Sequence, residues 1–144
     1  MRIASLILPV VIGSVTGIIA ISSGEIYLHH LFPYTPGTNE NEAHSLALAI
    51  KQMPAKAFQL LLVNYMLGSF LAGFIATLLA RRINVIPAIV VGVVLTLSAI
   101  FNIITLPHPL WFSVANLMVY LPFSYFGYLV IKKKVNTPDS CIQE

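Results

Sequence analysis

Charge is scarce in this chain. Of 144 residues only eight are Lys or Arg and five Asp or Glu, so charged side chains make up 9% of the sequence against 58% hydrophobic. A soluble domain carries charge on about a quarter of its residues, so this composition excludes a freely soluble globular protein. Cysteine is almost missing as well: the lone Cys141 has no partner for an internal disulfide and reads as a bystander. The single Asp is Asp139, near the C-terminal end. No serine sits in a nucleophile motif, no glycine-rich phosphate loop follows a strand, and HExxH is absent. Hydrolase and nucleotide-enzyme readings therefore have nothing to rest on. Nucleic-acid binding is disfavoured despite a pI of about 9.2, because no soluble basic face exists to carry it.

What the chain has instead is four long apolar stretches and a mean hydropathy of +0.87. Crossing a hydrocarbon core of about 30 Å takes about 20 helical residues, and residues 3–21, 57–80, 85–106 and 110–131 meet that length. Backbone groups in lipid must be paired within a helix or a closed barrel, and apolar runs this long exclude alternating barrel strands. The expected fold is all-α, an integral membrane four-helix bundle forming a single transmembrane domain over residues 1–144.

Lys and Arg resist translocation and collect on the cytoplasmic side. Here they stand at Arg2, at Arg81 and Arg82, and at Lys132, Lys133 and Lys134, three places that alternate correctly across four spans. Both termini and the tail 132–144 are then cytoplasmic, while the loop 33–56 and the turn Pro107-His108-Pro109 are external. Lys51 and Lys56 disagree, in a loop that also carries Glu40 and Glu42. The basic anchors explain the pI and attract anionic lipid head groups. Arg2, an apolar run and Ala20-Ile21-Ser22 loosely imitate a signal peptide. The run is long for a signal core, however, and its loss would leave three spans with the N-terminus outside, so a retained span is expected.

The first stretch does not stop cleanly, because after Ser22-Ser23-Gly24-Glu25 the apolar pattern resumes and runs to Phe32. Pro33 and Pro36-Gly37 should end it. Between 43 and 53, Leu46, Ala49, Ile50 and Met53 recur at helical spacing opposite His44, Lys51 and Gln52. This predicts a short amphipathic helix lying on the outer membrane surface. Pro54 suits the first turn of the next helix.

Within the second span Gly68, Ala72, Ala76 and Ala80 recur every four residues beside Ser69, Gly73 and Thr77. Gly13 and Gly17, and then Ala88, Gly92 and Thr96, give similar series in spans one and three. Small residues let helix backbones approach closely in lipid, where hydrophobicity drives little association. Packing within the chain is the simplest use of these faces, and a homodimer seam or contact with a membrane-complex partner is the other. Tyr27, Tyr34, Trp111 and Phe112 at the outer end, with Tyr125 and Tyr128 at the inner, read as an interfacial belt.

Polar residues crowd the outer half. All four histidines lie there, and Glu25 and His29 are neighbours one helical turn apart, with His108 in a turn that could swing over them. A carboxylate and imidazoles suit zinc or another divalent metal, so Glu25, His29 and His108, joined by His44, form a candidate metal site. Glu25 is also a candidate proton-linked or ligand-binding carboxylate, since acids in or beside a span are costly, while the simpler reading has histidines favouring the wet interface and Glu25 solvated or hydrogen-bonded there. Asn64, Asn102 and Asn116 occupy the same half and, with Ser22, Ser23 and Ser98, could line an outward polar pocket. Interhelical hydrogen bonding is their simpler use.

Met53-Pro54-Ala55-Lys56-Ala57-Phe58, then Tyr65-Met66-Leu67-Gly68-Ser69-Phe70 with Gly73 and Ala76, and finally Asn102 with Pro107-His108-Pro109-Leu110-Trp111-Phe112 carry a resemblance. Over about residues 50–130 the chain resembles a group of small uncharacterised bacterial four-span proteins. The resemblance implies a multi-pass protein of the bacterial inner membrane and brings no activity with it. Small multidrug transporters share four spans and a glutamate in the first, but the long external loop and outward Glu25 depart from their pattern. The expectation is a non-enzymatic membrane protein: an accessory subunit, or a small-ligand binder or carrier using Glu25, Asn64, Asn102 and Asn116. The alternative is a metal-dependent membrane enzyme or metal carrier built on Glu25, His29 and His108.

Overall fold

The computed structural model describes residues 4–33, 38, 42–80, 84–106 and 108–136. The proposed anchors Arg2, Arg81 and Arg82 lie outside the described residues, as do Glu40, Tyr34, Pro36-Gly37, Pro107, Asp139 and Cys141. Among the described residues there are five helices and no strand: α1 (Ala4–Leu31), α2 (Ala43–Gln52), α3 (Ala55–Leu79), α4 (Ile86–Thr105) and α5 (Leu110–Asn136). All but α2 are long and apolar enough to cross a membrane, the mark of a multi-pass membrane protein.

The polar interruption at residues 22–25 does not break α1. Its 28 residues run about 42 Å at 1.5 Å each, longer than a hydrocarbon core. Two of its hydroxyls are satisfied locally, Thr16 donating to the Ile12 carbonyl at 2.8 Å and Ser23 to Ile19 at 2.7 Å, whereas Ser14 Oγ is buried without a hydrogen-bond partner among the described residues. At the far end of the chain α5 carries helix through Lys132, Lys133 and Lys134. Cations in a last helical turn complement the carbonyl end of the dipole, and Lys132 Nζ lies 5.9 Å from the centre of the Tyr128 ring. Pro54 precedes α3 as its N-cap in extended conformation (φ −66°, ψ 147°), one residue earlier than the sequence suggests. Pro87 does occupy the first turn of α4, where Asn84 Oδ1 accepts the Ile86 N–H at 3.1 Å.

The centre of the molecule is α3, and its small residues decide what packs on it. One stripe, Gly68, Ala72 and Ala76, takes antiparallel α1 through Gly13 and Gly17. A Cβ added at Gly17 would stand 2.7 Å from that of Ala72, so the two backbones are as close as side chains permit. The neighbouring stripe, Ser69 and Gly73, takes α5, which runs parallel to α3. A Cβ at Gly73 would run into the Ser124 backbone, and Ser69 Oγ donates to the Tyr120 carbonyl at 2.7 Å. Gly68, Ser69, Ala72, Gly73, Ala76 and Thr77 are all buried within this chain. Gly92 brings α4 against Ser124 and Leu121 of α5. Large apolar side chains point the other way: Leu78 is 55% exposed and Leu110 85%, a surface that lipid rather than water solvates.

Two expectations are corrected here. The apolar face of α2 does not turn to the membrane surface. Ala49 and Ile50 are buried, with Leu46 and Met53 packed beside them, because the end of the bundle offers this face more contact than lipid would. His44, Lys51 and Gln52 are exposed as predicted. Phe112 is not an interfacial anchor but the largest fully buried side chain among the described residues. It lies between Phe58, with ring centroids 5.0 Å apart, and His108, stacked at 5.3 Å.

Candidate functional site

The antiparallel register that seats Gly17 on Ala72 also brings Glu25 of α1 level with Tyr65 of α3. Tyr65 O–H donates to Glu25 Oε1 at 2.8 Å. Tyr65 is buried and stacks on Tyr120, centroids 6.0 Å apart, so its hydroxyl is aimed by packing on α5 as well as by α3. A carboxylate in a span is costly to desolvate, and this hydrogen bond offsets part of that cost.

Two cavities meet at this pair, and Glu25, Tyr65 and Asn102 line both. The first, about 190 Å³, lies under α2 and is walled by Leu28, His29, Ile50, Met53, Phe58 and His108 among others. The second, about 230 Å³, is a cleft between α1 and α4 reaching Asn116 and Tyr120 of α5. Among the described residues no Lys or Arg lines either cavity. Asn116 is only 3% exposed, and its Oδ1 accepts the Tyr120 hydroxyl at 2.8 Å.

The sequence candidates therefore divide. Glu25, Asn102 and Asn116 come together on one cleft, with Ser22 and Ser98 beside them. Asn64 does not join them. Its Nδ2 donates to the Ile21 carbonyl at 2.8 Å and its amide fills the space above Gly24, making it a tie between α1 and α3. Ser23 lines neither cavity, and His44 is exposed on α2. His29 and His108 line the first cavity with Glu25. The Leu106 carbonyl lies 2.8 Å from His108 Nδ1 and can only accept, so Nδ1 carries the proton and the lone pair of a neutral ring is on Nε2. Among the described residues, however, no three His, Cys, Asp or Glu side chains converge closely enough to hold a metal ion.

Sequence reasoning missed Tyr120 and the pairing of Tyr65 with Glu25. Two signals bear on them: Tyr120 follows Asn116 by one helical turn, and Tyr65 precedes the small stripe of α3 at Ser69 and Ala72. What the site offers chemically is one carboxylate held by a phenol, two amides, hydroxyls and aromatic walls, a set suited to binding a cationic or hydrogen-bonding group. No family model, no curated protein and no solved structure matches the chain.

Proposed function

We propose that this protein is a non-enzymatic binder or carrier of a small ligand, held in the polar pocket around Glu25, Asn102 and Asn116. The observation that carries the reading is the Glu25–Tyr65 hydrogen bond on the wall shared by two cavities, with no Lys or Arg among their described lining residues. A half-buried carboxylate with that surrounding favours a cationic or donor ligand.

Thiol accessibility tests the pocket. In a Cys141→Ser background, Asn102→Cys should react with water-borne methanethiosulfonates, the aminoethyl reagent about tenfold faster than the sulfonatoethyl one because Glu25 attracts cations. Glu25→Gln should erase that preference. Leu97→Cys, 61% exposed on the outer face of α4, should stay unreactive in lipid. Equal, slow reaction at both positions refutes a water-filled pocket.

The pocket opens outward in this reading, in the inner membrane of a bacterium with both termini cytoplasmic, as the basic clusters favour. Impermeant labelling of Glu40→Cys and His108→Cys but not of Arg82→Cys or Lys134→Cys supports it, and the reverse pattern ends it. A metal-dependent role is the second reading, favoured by Glu25, His29 and His108 lining one cavity with His108 Nε2 left for coordination. Zinc or another divalent metal at one equivalent, in protein purified without a His tag, would select it; folded metal-free protein selects the first.

A further inference from the structure

The cleft between α1 and α4 is graded along its length. Two helical turns deeper than Glu25 and Asn102 its walls are Ile18 and Leu95; one turn deeper Ser22, Ser98 and Tyr120 add hydroxyls beside Ile21 and Ala99; at the top stand the carboxylate and the amides of Asn102 and Asn116. The drop from top to bottom is about 10 Å, seven residues at 1.5 Å each. Its mouth is lateral. Ser22, Ser98 and Ile18 are exposed on the outside of the bundle, at positions on two membrane-crossing helices. An apolar floor, a hydroxyl band and a charged head on a wall open to the side are the profile of a lipid-like molecule in reverse.

We propose, building on the ligand-binding reading above, that the ligand is an amphiphile with a protonated amine head, its ammonium at Glu25 and its apolar tail between Ile18 and Leu95. The sign of the head follows from the lining residues: among the described residues they supply one carboxylate and no Lys or Arg. Asn116, 3% exposed and on the cleft wall, has its oxygen taken by the Tyr120 hydroxyl, so its amide presents an NH2 rather than an acceptor to that wall. Two sources share this chemistry, an aminophospholipid arriving sideways from the bilayer and a single-chain amine arriving from water.

Native mass spectrometry of the full chain in detergent separates them, with phosphatidylethanolamine, phosphatidylglycerol of the same acyl chains, and dodecylamine as probes. Phosphatidylethanolamine should be retained about tenfold better than phosphatidylglycerol, and Glu25→Gln should abolish the difference. Ser98→Phe, which narrows the mouth without touching Glu25 or Tyr65, should lower lipid retention while leaving the thermal transition in place. Retention of dodecylamine without the lipid supports the amine and assigns it an aqueous source. Equal retention of both lipids, or a preference that survives Glu25→Gln, overturns the proposal. Glu25-dependent retention of phosphatidylglycerol overturns the amine alone and leaves a ligand pocket standing, whereas an unreactive Asn102→Cys removes the pocket itself.

Discussion

The two halves of the bundle solve the same problem with opposite materials. In the half away from α2, Gly13, Gly17, Ala72, Gly73, Ala76 and Gly127 bring three backbones to within a methyl group of collision. In the half under α2, Phe58, Tyr65, Phe112 and Tyr120 stand at the equivalent positions, and rings of that size hold the helices apart. Small residues give contact without space; aromatic ones leave gaps between their edges, and the polar groups collect in those gaps. Closeness in lipid rests on dispersion between backbones, so the first half sets stability and the second is free to carry a site.

That contrast breaks first at Gly73. Gly73→Leu would drive a side chain into the Ser124 backbone and should abolish a cooperative thermal transition in detergent, a cost above the ~1–3 kcal/mol usual for overpacking. Leu78→Ala, on the lipid face at 55% exposure, should change the midpoint hardly at all. Equal effects would mean that the small-residue stripe is not a seam. In the other half, Tyr65→Phe removes the donor to the half-buried Glu25 and should destabilise by about 0.5–1.5 kcal/mol. In Glu25→Gln the amide oxygen still accepts from Tyr65, so that change should cost less. A double-mutant cycle of Tyr65→Phe with Glu25→Ala, which removes the acceptor, checks it, and additivity would deny the hydrogen bond. Smallest is Asn64→Ala, which loses one interhelical bond to Ile21. Such bonds average ~0.6 kcal/mol in a membrane bundle, and calorimetric or denaturant midpoints should shift by no more than that implies.

The four long helices and the stripe on α3 were legible because length and residue size act locally and need no partner to be recognised. The face of α2 was legible for the same reason, since Leu46, Ala49, Ile50 and Met53 stand against His44 and Lys51. Where that face would turn was not, because the end of a bundle competes with lipid for it. Phe112 shows why the rest was hard. In a span that is apolar all round, hydropathy no longer separates inside from outside, and an aromatic residue near a helix end suits the interface and the core equally. Asn64, Asn102 and Asn116 look alike in sequence, yet Asn64 ties α1 to α3 while Asn102 and Asn116 line the cleft. Their division depends on which neighbour offers a free carbonyl. Glu25 was singled out by its charge alone; its partner Tyr65 required the register of α1 on α3.

The position of α3 has a mechanical consequence. Held on one stripe by α1 and on the adjacent stripe by α5, it can neither roll about its axis nor slide along it without Gly73 striking Ser124 or Ala72 striking Gly17. It is the stator of this molecule, and Tyr65 and Phe58 are fixed with it. Any change in the volume around Glu25 must come from the parts not pinned in this way: the upper turns of α4 carrying Ser98 and Asn102, and α2, whose Ile50 and Met53 sit over the cavity like a hatch hung from the start of α3 at Pro54.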